Sequence, residues 1–558
     1  MLFLPIFTNC IHKFIYEKLI LDYKCIYIFV KILIGGFYIM KKIVCIPLDE
    51  RPCTYDYPIM MANMAKDINF VQIPREYMGD CKTPGNIAKM QEFILKECKD
   101  ADYAVIALDS LLYGGIVPSR LHYETEQTLL ERLSILRKIK EVNKNLKIFA
   151  YQLIMRCPSG SGCSEEPDYY ALCGREIHVV GYYDHKSKVT TLTEEEQRVY
   201  EEAKAFIKNN NYQEYVDDYL TRRAINSNMN LHVLDYAKDN TIDFLIIPQD
   251  DSAPYGLTAK DQMKLGNAVS KMNLELKVIT YPDADAVTNS LLARAINEIN
   301  GIRPKVFVRY SSCNEGNIIP NYEDRPIAES IKYQILAAGG LPTFDYCNCD
   351  MVLMVNIPLD NMAESRRLYD DLNKKDNPGE TDLNYTVGRN LVEYVEYIKY
   401  LVSINKCVAV ADCAYANGGD TILFNLLRNE NLLFKVNSYA GWNTSANTLG
   451  TCIPLAMIQN LYGNSQEFYD FMGLRYLEDV GYQSNVRFDA FDKFKDQFTW
   501  GEIDGKEDGI VATYIKNGLT KWADKNLNGI DYKVEIVKHE QPWNRFFETG
   551  LIVKTIKK

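Results

Sequence analysis

The chain contains 558 residues, of which 47% are hydrophobic and 25% are charged. These fractions are typical of soluble globular proteins and exclude a disordered chain or a polytopic membrane protein, and the length predicts a large domain with an appendage. Lys and Arg number 63 and Asp and Glu number 74, which gives a formal net charge of -11. A nucleic-acid backbone would be repelled, so we expect a small-molecule or oligosaccharide substrate and no nucleic acid.

The cysteine pattern bears on metal binding and on the cellular compartment. The chain has 15 cysteines, an odd number, and no Cys-x-x-Cys pair. It therefore shows neither a disulfide framework nor the paired thiolates of a zinc site. We expect reduced thiols, a cytoplasmic protein and no cofactor.

The first 39 residues differ from the rest of the sequence. Residues 1–39 are rich in Ile, Phe, Tyr and Lys, and they stop at Met40, where a clean strand pattern begins. Charges at Asp22, Lys24 and Lys31 interrupt the apolar stretch, which is atypical of a signal peptide and marginal for a membrane-spanning helix. We interpret the segment as an extension outside the fold, upstream of a true start at Met40. A membrane anchor and an ordered extension are the alternatives, and only an anchor implies a membrane partner.

From Met40 onward, short apolar runs alternate with longer amphipathic stretches, which is typical of parallel βαβ units. The predicted helices are Asn86–Cys98, Glu126–Val142, Thr258–Met272 and Arg325–Ala338. The predicted strands are Ile43–Pro47, Phe70–Ile73, Tyr103–Leu108, Ile148–Ile154, Phe244–Pro248, Leu276–Tyr281, Val306–Tyr310, Met351–Ile357, Val408–Ala411 and Phe434–Tyr439. Ten such runs fit an eight-stranded barrel with additional strands, or a large open sheet.

Nearly every apolar run ends in a cluster of polar residues. Polar groups at the carboxyl ends of successive strands converge only if those strands share one face or close into a ring. We therefore predict an α/β fold of the TIM-type (β/α)8-like barrel, with insertions and an active site at its C-terminal mouth. A large open parallel α/β sheet is the alternative.

The sequence also predicts how the chain divides. Residues 40–459 form the barrel-like catalytic domain in this interpretation. Residues 157–230 are long for a connection between two strands, so we expect a lid inserted over the mouth. Residues 460–558 become mainly helical and then contain two strand-like runs, which predicts a smaller C-terminal α+β subdomain. The oligomeric state stays open.

Several strand ends carry candidate substrate-binding residues. Asp49 and Arg51 follow the first run, where the carboxylate would accept from sugar hydroxyls and the guanidinium would donate. An internal ion pair is the equally weighted alternative. The other candidates at strand ends are Asp109, Tyr113, Arg120, Arg156 and Asp285.

Two loops near residue 430 add further candidates. Asn417-Gly418-Gly419-Asp420 precedes a helical stretch, and such glycines permit close approach of backbone N–H groups to a ligand. A tight strand-to-helix turn is the alternative. Trp442 and Asn443 lie in a loop of small polar residues, where an aromatic ring beside amides would suit the face of a sugar. Core packing is the alternative for the tryptophan.

Four motifs occur in order along the chain. They are Ile46–Pro52, Leu112–Gly115, Gln249–Gly256 and Tyr439–Thr444. With these motifs the chain resembles a bacterial family catalogued as domain of unknown function 4127, from about Met40 into the C-terminal subdomain. The resemblance implies no activity, but it supports Met40 as the start, because the family's proteins typically open at this strand.

Asp250 and Asp251 are the sharpest chemical feature of the sequence. They follow a predicted strand near the fourth position of the barrel, and they resemble the acidic pair of retaining N-acetylhexosaminidases that use the acetamido group of the substrate as nucleophile. One carboxylate would orient the acetamido group, and its neighbour, with a raised pKa, would protonate the departing oxygen. We predict a glycosidase of this type, with Asp250 as the orienting residue and Asp251 as the acid.

The sequence also supports two other hypotheses. Asp250 and Asp251 could instead cap a turn or bind a divalent metal. The stretch from Asp412 to Asp420 resembles a short motif of the microcystin-degrading metallopeptidase family. A metal-dependent amide hydrolase with ligands among Asp49, Asp250, Asp251 and Asp412 is therefore the second hypothesis. A non-catalytic carbohydrate-binding protein is the third.

Overall fold

A computed structural model of the protein describes residues 40–373, 383–529 and 531–558. The interpretation of residues 1–39 lies outside this range. Residues 42–558 pack as one unit. Each of the ten predicted apolar runs overlaps a strand, because burial on both faces favours a continuous apolar sequence in a parallel sheet.

The first sheet is built from the N-terminal half of the chain. Its strands are β1 (Lys41–Ile46), β2 (Ile68–Gln72), β3 (Tyr103–Ala107), β4 (Lys147–Tyr151), β5 (Phe244–Ile246) and β6 (Val278–Ile279). The order across the sheet is β2-β1-β3-β4-β5-β6, with β1 and β3 to β6 paired in parallel.

The second sheet follows in the middle of the chain. The next strands are β7 (Lys305–Tyr310), β8 (Leu341–Pro342), β9 (Met351–Asn356), β10 (Ala363–Glu364), β11 (Cys407–Asp412), β12 (Tyr415–Ala416) and β13 (Ser438–Ala440). Five of them form a parallel sheet in the order β13-β11-β9-β7-β8, while β10 and β12 make a separate parallel pair.

Helices connect the strands. Those of the N-terminal half are α1 (Pro52–Asn63), α2 (Ile87–Glu97), α3 (Leu108–Tyr113), α4 (Pro118–Leu121), α5 (Glu126–Leu133), α6 (Ile135–Val142), α7 (Tyr170–Val189), α8 (Glu194–Asn209), α9 (Gln213–Lys238), α10 (Leu257–Met272) and α11 (Val287–Ile299). They continue with α12 (Ile327–Ala337), α13 (Ser365–Asn373), α14 (Leu383–Thr386), α15 (Leu391–Ser403), α16 (Thr421–Asn429), α17 (Ser445–Tyr462), α18 (Gln466–Arg475), α19 (Arg487–Phe494) and α20 (Ile510–Asn526). Strands β3, β9 and β11 are buried at every residue, so both faces of each sheet are covered.

The predicted barrel is not formed, because the described strands make two open sheets. A barrel requires each strand to pair with the next until the last meets the first. Here β1 lies between β2 and β3, and β7 lies between β8 and β9, so the chain winds outward in both directions from each of these strands. That is the doubly wound arrangement, and the alternative prediction of an open parallel sheet is consistent with it.

The winding fixes where a ligand site can form. In doubly wound sheets, a crevice opens outside the carboxyl ends of the strands where the strand order reverses. The loops that follow β1, β5, β6, β7 and β13 all contribute to one cavity. The carboxyl ends of both sheets therefore face the same space.

Two helices pack between the sheets and close the core. Helix α17 is buried from Ser445 to Gln459, and it packs against α11 and against β11 and β13. Thr444 caps its N-terminus by accepting a hydrogen bond from the backbone N–H of Asn447 at 3.3 Å. This cap places residues 443–447 at the cavity wall.

The C-terminal residues return to the same cavity. A π-helical segment, Tyr476–Val486, joins α18 to α19, and an antiparallel hairpin is formed by β14 (Tyr532–Glu540) and β15 (Gly550–Lys557). The connection between these two strands supplies Phe547 to the cavity. In the described part of the chain, none of the helices has the length and apolar character needed to cross a membrane.

Candidate active site

The cavity between the two sheets has a volume of about 190 Å³ and is lined by more charged and polar residues than apolar ones. Its charged wall residues are Arg51, Arg120, Arg156, Glu165, Asp250, Asp251, Asp283, Asp285 and Glu323. Amide and hydroxyl side chains complete it, namely Gln249, Tyr322, Asn417, Asn443, Thr444 and Asn447. Such a concentration of polar groups in an enclosed space marks a candidate site for a small polar ligand.

Asp250 and Asp251 both line this cavity, four and five residues after β5 ends. Adjacent side chains of an extended strand point to opposite faces. Asp251 instead adopts a left-handed backbone with φ of 44°, which is uncommon outside glycine and is concentrated at functional sites. This turn allows two consecutive carboxylates to share one cavity.

Each of these two carboxylates has its own arginine. Asp250 Oδ2 accepts from Arg120 Nη2 at 2.6 Å, and Asp251 Oδ2 accepts from Arg156 Nη1 at 3.1 Å. The Oδ1 atom of each has no hydrogen-bond partner among the described residues. Burial, with a further contribution from the charge of Asp250, raises the pKa of Asp251 to about 6. The pair therefore offers free acceptor atoms and one group able to carry a proton at mildly acidic pH.

Asp49, Arg51 and Asp285 form a second charged group at the cavity. Arg51 donates to Asp49 Oδ2 at 2.6 Å and to Asp285 Oδ1 at 2.6 Å. Asp49 is held further by the Thr54 hydroxyl at 2.6 Å. The internal ion pair predicted as the alternative for Asp49 and Arg51 is thus present. Arg51 also lines the cavity, and its contact with a substrate stays a prediction.

Glu165 connects these charges into one network. Its Oε2 atom accepts from Arg120 at 3.0 Å and from Arg156 at 3.2 Å, and its Oε1 atom accepts from Arg545. Burial alone would raise the pKa of Glu165, but the charges of these three arginines hold it well below the ordinary range. Its neighbour Glu166 behaves in the opposite way, because burial raises the pKa of Glu166 in spite of Arg156 and Arg120.

Ion pairs join four arginines and seven carboxylates around the cavity. The arginines are Arg51, Arg120, Arg156 and Arg545, and the carboxylates are Asp49, Asp250, Asp251, Asp285, Glu165, Glu166 and Glu548. The members come from both ends of the chain, since Arg51 follows β1 and Arg545 lies in the β14–β15 connection. The ion pairs therefore hold together parts of the cavity wall that come from distant segments of the chain.

The β14–β15 connection also supplies an aromatic side chain, Trp543, that contacts a residue of the cavity wall. The ring of Trp543 contacts two guanidinium groups, those of Arg51 at 4.5 Å and Arg545 at 4.4 Å, measured from ring centroid to guanidinium carbon. Its indole N–H donates to Glu50. Burial, followed by the charge of Asp49, raises the pKa of Glu50 to about 7. Trp543 therefore positions Arg51, which lines the cavity.

Seven of the predicted site residues line the cavity. They are Arg51, Arg156, Asp250, Asp251, Asp285, Asn417 and Asn443. The remaining five, Asp49, Asp109, Tyr113, Asp420 and Trp442, are buried behind it. Arg120, a sequence candidate beside Arg156, lines the cavity as well.

Asp109, Tyr113 and Asp420 have structural contacts. Asp109 Oδ2 accepts from the backbone N–H of Leu153 at 2.9 Å, and burial raises the pKa of Asp109 to about 7. Tyr113 is buried, and its ring packs against His122. Asp420 caps α16 by accepting from the backbone N–H of Ile422 at 2.8 Å and forms an ion pair with Arg389 at 2.6 Å. The Gly418-Gly419 stretch thus matches the alternative of a strand-to-helix turn.

Trp442 packs in the core, with 1% of its surface exposed. Its indole N–H donates to the Thr451 hydroxyl at 3.1 Å, and its ring meets Tyr57 edge to face at 6.1 Å. The loop of small residues around it is the capped start of the buried helix α17. This explains why the tryptophan lies in the core and not at the cavity.

We expect Trp442→Ala to lower the free energy of unfolding by about 3–5 kcal/mol, the range for removing a large buried aromatic side chain. Urea unfolding of the full chain measures this change. The matched control is Trp500→Ala, because Trp500 is 38% exposed and its truncation should cost about 1 kcal/mol or less. Equal losses in the two variants would contradict a core position for Trp442.

The metal hypothesis draws on residues that the structure separates. Asp412 lies in another network, where it accepts from Asn356 at 2.9 Å, from Tyr439 at 2.8 Å and from the backbone N–H of Asp420 at 2.7 Å. It does not line the cavity. Among the residues that the structure describes, no group of three or more His, Cys, Asp or Glu side chains is arranged to hold a metal ion.

Sequence reasoning missed several residues of the wall. Six residues that line the cavity were not predicted as site residues from the sequence. They are Glu165, Asp283, Tyr322, Glu323, Asn447 and Phe547. Asp283 was visible as the partner of Asp285 at the end of the sixth run. Glu165 lies fourteen residues after the end of β4 and Phe547 seven residues after the end of β14, so neither is marked by a position at a strand end. Glu323 accepts from the backbone N–H of Ala446 at 2.8 Å, and burial raises its pKa to about 8.

The fold and the site together define an α/β protein with two open parallel sheets, whose carboxyl ends enclose one carboxylate-rich, ion-paired cavity. The chain belongs to the family described as "Protein of unknown function (DUF4127)", whose sequence profile matches residues 43–551. The resemblance noted from the four motifs is thereby confirmed. A search of curated proteins finds no match to the chain.

Proposed function

We propose that the protein is a glycoside hydrolase that cleaves an N-acetylhexosaminide with the help of the substrate's acetamido group. The supporting observation is that Asp250 and Asp251 line one cavity and each keep a carboxylate oxygen free of partners among the described residues. Two carboxylates suit this chemistry when one orients the substrate and the other protonates the departing oxygen. The cavity of about 190 Å³ suits a single sugar unit, since the pockets that bind drug-sized ligands have volumes of ~300–1,000 Å³.

The ion pairs of Asp250 and Asp251 support Asp250 as the orienting residue and Asp251 as the acid. The hydrogen bond from Arg120 to Asp250 is 2.6 Å long, and that from Arg156 to Asp251 is 3.1 Å long. A shorter charge-assisted bond holds its carboxylate more firmly, which suits Asp250 as the orienting residue. The pKa of about 6 that burial gives Asp251 suits a proton donor, because this carboxyl group keeps its proton in mildly acidic solution.

The reaction then proceeds in two steps. Asp250 accepts a hydrogen bond from the acetamido N–H, and the acetamido carbonyl oxygen attacks the anomeric carbon while the glycosidic bond breaks. Asp251 gives its proton to the departing oxygen. In the second step a water molecule adds to the anomeric carbon, Asp251 takes a proton from that water, and the acetamido group is restored. Phe547 and Ala446 give the cavity the apolar wall against which an acetamido methyl can pack.

The test is a panel of nitrophenyl glycosides with and without an N-acetyl group at the 2-position. We expect turnover only with the N-acetylated members, and a decline in rate as the pH rises through about 6, the pKa of Asp251. Asp250→Asn should lower turnover about 10²-fold or more, because the acetamido group loses its orientation. The matched control is Asp56→Asn, since Asp56 is paired with Arg75 outside the cavity.

Three results would contradict the proposal. Equal turnover of plain and N-acetylated glycosides would remove the role of the acetamido group. Sugar binding without turnover would indicate a carbohydrate-binding protein. Hydrolysis of amides that a chelator abolishes would favour the metal-dependent alternative.

A further inference from the structure

The charges around the cavity do not balance. Four arginines face seven carboxylates in one connected network of ion pairs, which leaves an excess of three negative charges when all are ionised. Carboxylates that are buried without full compensation are unfavourable. A ligand that brings positive charge or hydrogen-bond donors would supply the missing compensation.

Asp285 is the clearest uncompensated member. The residue is 93% buried, having only 7% of its surface exposed, and it lines the cavity. Its Oδ1 atom accepts from Arg51 at 2.6 Å, but its Oδ2 atom has no hydrogen-bond partner among the described residues. Arg51 is itself shared with Asp49 at 2.6 Å and with Glu548 at 3.6 Å. One guanidinium therefore serves three carboxylates, and Asp285 keeps an acceptor atom free.

The side-chain donors of the cavity wall are largely committed to the protein. Arg120 and Arg156 are bound to carboxylates. The Tyr322 hydroxyl and the Asn417 amide both donate to Glu364, at 2.9 Å and 2.8 Å. The Asn443 amide donates to Asn447 at 2.7 Å. The charged atoms left for a ligand are thus acceptors, namely the free oxygens of Asp250, Asp251 and Asp285, while the two amides each keep a second, neutral N–H donor.

We infer that Asp285 is a substrate-binding residue that selects a donor-rich sugar, one that presents hydroxyl and N–H groups and carries no carboxylate or phosphate. Its free oxygen accepts from the sugar, and Arg51 holds it in place. An anionic sugar would meet three carboxylates and no free cation, whereas hydroxyl, amide and ammonium groups find acceptors. This inference rests on the proposed function for its sugar class, but it concerns binding and does not require turnover.

The experiment measures binding of three free sugars to the full chain by calorimetry at pH 7.5. The probes are N-acetylglucosamine, glucosamine and glucuronic acid, which differ in the charge they carry. Glucosamine and N-acetylglucosamine should bind at least about tenfold more tightly than glucuronic acid, because a site of unpaired acceptors rejects an anion. This comparison uses the unaltered protein, so it stands even if a variant fails to fold.

Asp285→Asn tests the residue itself. The substitution keeps the size of the side chain and removes one charged acceptor, so N-acetylglucosamine should bind about ten- to a hundredfold more weakly. Discrimination against glucuronic acid should shrink in the same variant. Asp56→Asn, outside the cavity, is the control and should leave all three affinities unchanged.

The outcomes separate this inference from the proposed function. Glucuronic acid binding as tightly as N-acetylglucosamine would overturn the inference even if N-acetylated glycosides are hydrolysed. Asp285-dependent binding of glucosamine without hydrolysis of any glycoside would support the inference and refute the proposed function. Failure of all three sugars to bind would overturn the inference, whereas the proposed function would still be decided by turnover of the nitrophenyl glycosides.

Discussion

Asp251→Asn is expected to lower kcat about 10²–10⁴-fold on a glycoside with a poor leaving group, the range for losing a general acid. The physical reason is that a departing alkoxide needs a proton, and the asparagine amide cannot supply one. A dinitrophenyl glycoside, whose leaving group departs as a stable anion, should keep most of its rate. The ratio of kcat values for the two substrates is the measurement.

Asp250→Asn is the matched comparison for this prediction. Asp250 lies beside Asp251 on the same cavity, but its proposed role is to orient the acetamido group. Its loss should lower kcat for good and poor leaving groups alike, because both reactions need the acetamido oxygen as nucleophile. If both variants lost activity equally on the two substrates, Asp251 would not be the proton donor.

Misfolding of the Asp251→Asn variant would also lower kcat, and urea unfolding of the variant distinguishes this cause from the loss of a proton donor. The pKa of Asp251 is raised from 3.8 to about 6 in the folded protein, so its stability contribution is fully present below about pH 4 and is lost as the pH rises through about 6. Because the side chain is 31% exposed, the penalty at pH 8 is about 1–2 kcal/mol. Asp251→Asn removes it, while Arg156 keeps Glu165 and Glu166 as partners. The variant should therefore be at least as stable as the unaltered protein at pH 8.

The positions of the strands could be predicted from the sequence, whereas their order within the sheets could not. Runs such as Tyr103–Leu108 and Met351–Ile357 are apolar because both faces of β3 and β9 are buried, and burial leaves a local trace in the sequence. Strand order leaves no such trace. The position of β1 between β2 and β3 depends on pairing across more than fifty residues, so ten strands in sequence fitted a barrel as well as two open sheets.

The site residues divide in the same way: some have a local signal in the sequence, and others reach the cavity only through the tertiary fold. Asp250, Asp251 and Asp285 follow strands, and the carboxyl ends of parallel strands meet at one edge. Glu165 and Phe547 reach the cavity from connections that only the tertiary fold brings there. Trp442 follows a strand as well, yet the helix that starts three residues later is buried and the ring packs in the core with it. Asp49 and Asp109 follow strands too, but they accept hydrogen bonds from the backbone N–H groups of Arg51 and Leu153 and are buried behind the cavity. Position after a strand thus narrows the choice of charged residues without deciding which of them reach the cavity, and it is a poor signal for aromatic side chains.

Glu165→Gln is expected to lower the free energy of unfolding by about 3–5 kcal/mol, the range for removing one partner from a buried charge network. Glu165 accepts from three arginines, Arg120, Arg156 and Arg545, and a neutral amide cannot balance their charges. Because the pKa of Glu165 is lowered, this stabilisation is present above its ordinary pKa and is lost as the pH falls through its folded value. Urea unfolding at pH 7.5 and at a series of lower pH values, beginning near the ordinary pKa of 4.5 and continuing below it, measures both effects.

The neighbouring residue provides the control that isolates the charge of Glu165. Glu166 Oε1 accepts from Arg156 at 2.8 Å, while its Oε2 atom is buried without a partner. Burial raises the pKa of Glu166, so its negative charge is already disfavoured, and Glu166→Gln keeps the Oε1 acceptor. We expect this variant to change stability at pH 7.5 by about 1 kcal/mol or less. A similar loss of stability in the two variants would show that general packing of the connection between β4 and α7, and not the charge of Glu165, holds the arginines at the cavity.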